Sequence, residues 1–248
     1  RYERKSSMAT RPHNRTRPQP GISANELARY LVAGDHAREG IIRQAKEIST
    51  ARVIRYRDLR NGIAAYLGDP ARSRATLAAL ETLLRQKAGD RSGTSFTRED
   101  AQASLEALET FHRFQNQLGG YSFTQPGKWA GALPIEGLAV NVYPDLALTQ
   151  ASRSGDRYGV AIFRLAKGDD QASENAASKR AEIAKYVATL AFMQASAHCI
   201  PGHVAYPGLC LSIDVQNQEI VPASRSQTQR VNNIRAACRQ IVRAWNSV

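Results

Sequence analysis

Two residues in this chain have the types and spacing to do chemistry together. One is Asp145, in the run Tyr143-Pro144-Asp145-Leu146, and the other is Lys167, at the end of the next apolar run. A turn centred on Gly155 with a three-residue loop would pair the two runs as a hairpin and set Asp145 opposite Leu165. Side chains alternate along a strand, so Leu165 and Lys167 share a face. Carboxylate and ammonium then point the same way, one diagonal apart. Hard cations take oxygen ligands, and phosphodiester cleavage needs a cation on the phosphoryl oxygens. Two carboxylates and one positive group are a sensible minimum for that reaction.

Other constellations are less specific. His198, Cys199, His203 and Cys210 lie close in sequence, but Cys199-x3-His203-x6-Cys210 is not a regular zinc-finger spacing. Cys210 sits in an apolar strand and reads as a buried thiol, as does Cys238 on the apolar stripe of the last helix. Gly119-Gly120 follows a helix and reads as its C-terminal cap rather than a phosphate loop. The segment 24–48 has the outline of a helix-turn-helix about Ala33-Gly34-Asp35, without that motif's usual small and branched offsets. The arginines at 52, 55, 57 and 60 spread around their helix and read as a solvated surface.

The charge is uneven. The chain carries 34 basic and 22 acidic residues, a net +12. Residues 1–20 hold six basic residues and one acid, while 220–248 hold Arg225, Arg230, Arg235, Arg239 and Arg243 and no acid. The stretch between has a net charge of only +2. Such ends suit a polyanion, with nucleic acid, and DNA in particular, the expected partner. Met8-Ala9 reads as an initiator context, so residues 1–7 are left out of the fold reasoning; without them the net charge is +10. With 42 % hydrophobic and 23 % charged residues, the chain is not disordered throughout. No run approaches the ~18 apolar residues of a membrane span, and the first residues have no secretory apolar core. Three cysteines fit a reducing, cytoplasmic setting.

The elements that must position these residues follow from periodicity. Residues 1–22 read as a disordered basic arm and 23–93 as a helical module, with an α/β domain over 94–248. In the first module, helices begin at Leu27, Ile41, about 51 and Pro70. Beyond the polar linker at 88–95 the order is a helix from Thr97, strands at 138–143 and 158–167, a long helix at 171–198, a strand at 209–215 with a short partner at Ile220-Val221, and a last helix at 226–246. The fold class is α/β, a small mixed sheet flanked by helices.

That order of elements, Pro144-Asp145 and the strand-end Lys167 resemble the PD-(D/E)XK nuclease superfamily over residues 97–216. The resemblance implies that Asp145 and a second acid bind Mg²⁺ and that Lys167 faces the water or the phosphate. The family places an acid two residues before its lysine, where this chain has Leu165. Glu182 on the following helix is the substitute, making Asp145 and Glu182 the metal ligands and Asp145, Lys167 and Glu182 the catalytic set. Glu174, Glu106 and Glu109 are the other acids within reach of that role. The terminal arginines would grip the backbone without reading sequence. The other reading is a nucleic-acid-binding or regulatory module on the same scaffold, without catalysis.

Overall fold

The computed structural model describes residues 16–48, 55–128, 130–153, 155–167 and 174–248. Residues 1–15 of the expected arm, and the start of the helix expected at 51, lie outside the described residues. The protein is a mixed α/β structure, with an N-terminal helical region leading into two sheets.

Strand β1 (Gly21–Ser23) leads directly into α1 (Ala24–Val32). Ser23 caps that helix: its hydroxyl accepts from the Glu26 N–H, and the Glu26 carboxylate accepts from the Ser23 N–H. This reciprocal capping box fixes where the helix starts. Gly34 ends the interruption before α2 (Asp35–Lys46). Helices α3 (Arg57–Gly68), α4 (Arg74–Gly89) and α5 (Ser95–Phe114) follow. Thr94, not Thr97, caps α5, its hydroxyl accepting from the Thr97 N–H at 3.1 Å.

The strands divide between two sheets. Strand β3 (Leu133–Ile135) pairs antiparallel with β4 (Leu138–Asn141), and β4 pairs parallel with β1. The larger sheet runs from β2 (Phe123–Thr124) through β5 (Leu146–Gln150) and β6 (Asp156–Arg164) to β8 (Leu211–Asp214) and β9 (Glu219–Pro222). A short β7 (His203–Ala205) pairs parallel with the first part of β6. Strands β6 and β8 are parallel, which requires a crossover, and the long helix α6 (Glu174–Ala197) lies within it. The last helix is α7 (Thr228–Ala244).

Each face of the larger sheet covers its own core. Tyr158, Val160 and Ile162 face a core built with α1, α2, α6 and α7. Ala161, Phe163 and Leu165 face the other, built with α3, α4 and α5. The alternation along β6 thus splits one strand between two apolar layers. This alters the expected organisation. Residues 21–46 pack on one face and 56–84 on the other, so neither core stops at the linker near 93. The N-terminal helices are the outer layers of the sheet rather than a module with its own core. Gly21 and Ile22, expected in the arm, belong to strand β1.

The hairpin is also different. The alternating run at 138–142 pairs with β1 and β3, and the partner of β6 is the next run, 146–150. Leu146 stands opposite Ala161 and Gln150 opposite Arg157, leaving six residues, 151–156, between the last paired positions. That register carries Asp145 to Ile162 rather than Leu165.

Candidate functional site

The start of β5 and the ends of β6 and β8 lie at one end of the sheet, because β5 runs against the other two. The carboxyl ends of parallel strands are where open α/β sheets expose residues to a ligand. Here that end carries two buried carboxylates.

Asp145 turns toward Arg60 of α3. Its two oxygens accept from Arg60 Nη1 at 2.5 and 2.6 Å, and one also accepts from the Phe163 N–H at 2.7 Å. Its side chain is 5 % exposed. Burial pushes this carboxyl up, opposed by the Arg60 guanidinium and the Phe163 N–H. Arg60 was expected in solvent. Its place at the edge of the Leu59, Ile63 and Leu67 stripe was the available signal, since i and i+3 share a helix face.

Asp214 faces the α6 side and is fully buried. Arg180 clamps it through Nε and Nη2, each at 2.7 Å, and Arg164 adds a contact at 3.0 Å. The Asn217 N–H donates a further bond at 3.1 Å. Arg180 also donates to the Ala166 carbonyl, and Arg164 to the Arg180 carbonyl. Burial lowers the Arg164 guanidinium, and Asp214 opposes that. The cluster ties the ends of β6 and β8 to the first turns of α6. Sequence reasoning left Arg180 out. Its signal was its phase: Arg180, Ala184, Val187 and Ala191 fall on one helical face, and all four are buried.

Lys167 donates to Glu106 of α5 at 2.6 Å in an exposed pair. That bond holds its ammonium above the ordinary lysine value, so it is not poised to shed a proton. Glu182 pairs with Lys185 at 2.6 Å and with Arg230 at 3.8 Å. The sheet therefore lies between Glu182, whose helix α6 packs on one face, and Lys167, whose partner helix α5 packs on the other. No hydrogen bond or ion pair joins any two of Asp145, Lys167 and Glu182 among the described residues. Glu106, not Glu182, is the acid that reaches Lys167. Both Asp145 oxygens are engaged, and Ala161 and Phe163, which flank the facing position on β6, are buried apolar residues. Among the described residues no three His, Cys, Asp or Glu side chains are grouped to hold a metal ion. These donors do not form a magnesium seat. Lys167→Ala is expected to leave the thermal midpoint unchanged within error, because an exposed pair contributes little to folding; a melt followed by circular dichroism checks it.

The cysteine and histidine group is not assembled either. Cys199 donates to the His203 carbonyl and Cys210 to the Tyr206 carbonyl. Burial pushes the Cys210 thiol up to about 12, and that of Cys238 likewise, which disfavours the thiolate that a metal would need.

Of the basic ends, the described part of the first, Thr16 and Arg17, lies near the end of the chain. The Arg17 N–H donates to the Lys46 carbonyl at 2.8 Å, and Thr16 bridges to Glu47, so the root of the basic arm lies against the C-terminal end of α2. Lys46 in turn donates to the carbonyls of Trp245 and Val248, each at 2.9 Å, which ties the same end of α2 to the end of the chain. Arg235, Arg239 and Arg243 are exposed along α7, about 6 Å apart along its axis. Arg239 meets Glu136 at 3.2 Å. Arg225 is exposed just before the helix, whereas Arg230 is half-buried and turned to Glu182 on α6.

No family model, curated protein or solved structure matches this chain. The site is therefore read on its own geometry. No helix among the described residues is long and apolar enough to cross a membrane.

Proposed function

We propose that this is a nucleic-acid-binding protein on a nuclease-like scaffold, in which the aspartate of the Pro-Asp motif is structural rather than catalytic. The observation that carries the reading is the exposed arginine row of α7. Thr16 and Arg17 pair with the C-terminal end of α2, where Lys46 bonds the carbonyls of Trp245 and Val248 just beyond α7. The exposed guanidiniums of Arg235, Arg239 and Arg243 add to one another along that helix, which is what attraction to a polyanion requires. The order α5, strands, α6, strand over residues 97–216 is what the nuclease resemblance rests on. The Asp145–Arg60 pair supports the non-catalytic side, because a metal would have to displace a guanidinium from a buried carboxylate. The expected partner is DNA, in a cytoplasmic setting that suits three free thiols.

The test is fluorescence anisotropy with a labelled 20-base-pair duplex over a salt series. Each phosphate contact contributes about 0.9 to the slope of log affinity against log salt. Arg235→Ala with Arg239→Ala is expected to weaken binding and lower that slope by about 1.8, if both residues meet phosphates. In a parallel assay with Mg²⁺, wild type and Asp145→Ala are expected to leave the duplex equally intact. Cleavage by wild type that Asp145→Ala abolishes would restore the nuclease reading.

A further inference from the structure

We propose that the cleft between α2 and α7 is a phosphate seat, in which Arg43 and Arg243 hold a single phosphate of the bound strand between them. The proposal rests on the nucleic-acid reading above and places one of its contacts. The cleft has a volume of about 500 Å³, and Glu39, Arg43, Gln240, Arg243 and Ser247 line it. Arg43 and Arg243 are exposed, come from different helices, and form no ion pair among the described residues. Two guanidiniums on opposite walls can present forked donors to one tetrahedral anion, the geometry in which arginine outperforms lysine.

The neutral groups point the same way. The Tyr30 hydroxyl donates to Gln240 Oε1 at 3.4 Å, which leaves the amide's own donors for an acceptor in the cleft. The Ser247 hydroxyl is exposed there as a further donor. Both helices present their C-terminal ends here, and a helix C-terminus repels anions. Lys46 answers that objection, since its ammonium caps the carbonyls of Trp245 and Val248 beyond the end of α7. Glu39 is the opposing charge, one turn before Arg43 on α2. The arginine row of α7 runs from Arg235 through Arg239 to Arg243, so the seat continues the proposed backbone track to α2.

The experiment uses the full chain and the same labelled duplex. Arg43→Ala and Arg243→Ala are each expected to weaken binding about tenfold, as for a lost charge-assisted bond. Because the two share one phosphate, the double variant should lower the salt slope by only about 0.9, no more than a single variant. Glu39→Gln should tighten binding severalfold, a gain that misfolding does not mimic. Circular dichroism confirms that each variant is folded, and Arg43 is exposed enough to replace without disturbing a core. If the Arg43 and Arg243 variants bind like wild type while Arg235→Ala/Arg239→Ala weakens, the seat is wrong and the nucleic-acid reading stands. If the double variant lowers the slope by about 1.8, the arginines hold separate phosphates and the shared seat is wrong. A Glu39→Gln variant that binds no better than wild type also overturns it. If wild type shows no salt-dependent binding, both proposals fall.

Discussion

Asp214→Ala is expected to lower the unfolding free energy by about 3–5 kcal/mol, the range for removing one partner of a buried ion pair. The carboxylate is fully buried, accepts from Arg180 twice and from the Asn217 N–H, and pairs with Arg164 at 3.0 Å. Its loss leaves two guanidiniums, with side chains only 11 % exposed, facing each other without the carboxylate they share. The penalty is mostly their desolvation rather than the lost attraction, which is why the single change is severe. Urea denaturation measures it, and the midpoint difference should persist in high salt because the pair is screened little by ions. A triple variant that replaces Arg164, Arg180 and Asp214 with apolar residues of similar volume should recover much of the loss. A loss under about 1 kcal/mol for Asp214→Ala would mean that the site is open to water, as exposed pairs are.

Gly159→Ala is expected to cost about 3 kcal/mol, at the upper end for overpacking. A Cβ at this position would stand 2.2 Å from the Leu209 carbonyl oxygen and 2.4 Å from its carbon. Both are backbone atoms, so no rotamer change relieves the clash. Gly159 lies within β6, which is paired with β5 on one side and β7 and β8 on the other, so the strand cannot retreat. The contrast is Gly62, where a Cβ would meet only the Leu80 side chain, at 2.5 Å. That side chain can turn away, and alanine gains roughly 1 kcal/mol in helix propensity over glycine. Denaturation of the two variants side by side should separate them clearly. Equal stabilities would show that the Leu209 segment moves freely away from β6.

The expected alignment of Asp145 with Leu165 and Lys167 broke at a definite step. Two alternating runs, 138–142 and 146–150, precede the turn, and either reads as a strand. Local pattern cannot choose which one pairs with β6, because pairing depends on what the rest of the chain offers to each. The first run was claimed by β1 and β3. A six-residue connection in place of a three-residue loop then shifted the register and moved Asp145 from Leu165 to Ile162. Register is set by turn geometry, so an error there reassigns every facing pair. Arg60 and Arg180 were missed for a related reason. Each sits in phase with an apolar stripe, and a charged residue in that phase is a sign of a buried partner far away in sequence.

Some things were fixed by local order alone. The helical stripes, the Gly34 interruption, the β8–β9 turn and the arginine row of α7 depend on neighbours within a few residues, where periodicity and turn chemistry act. The excess charge at both ends of the chain was likewise legible by counting. Only the tertiary structure decided that Arg17 and the end of the chain meet through Lys46, that the N-terminal helices cover both faces of the sheet, and that each strand-end carboxylate is closed by an arginine. Those outcomes depend on contacts across tens to two hundred residues, where burial and ion pairing between distant segments choose among arrangements that the local pattern leaves equivalent.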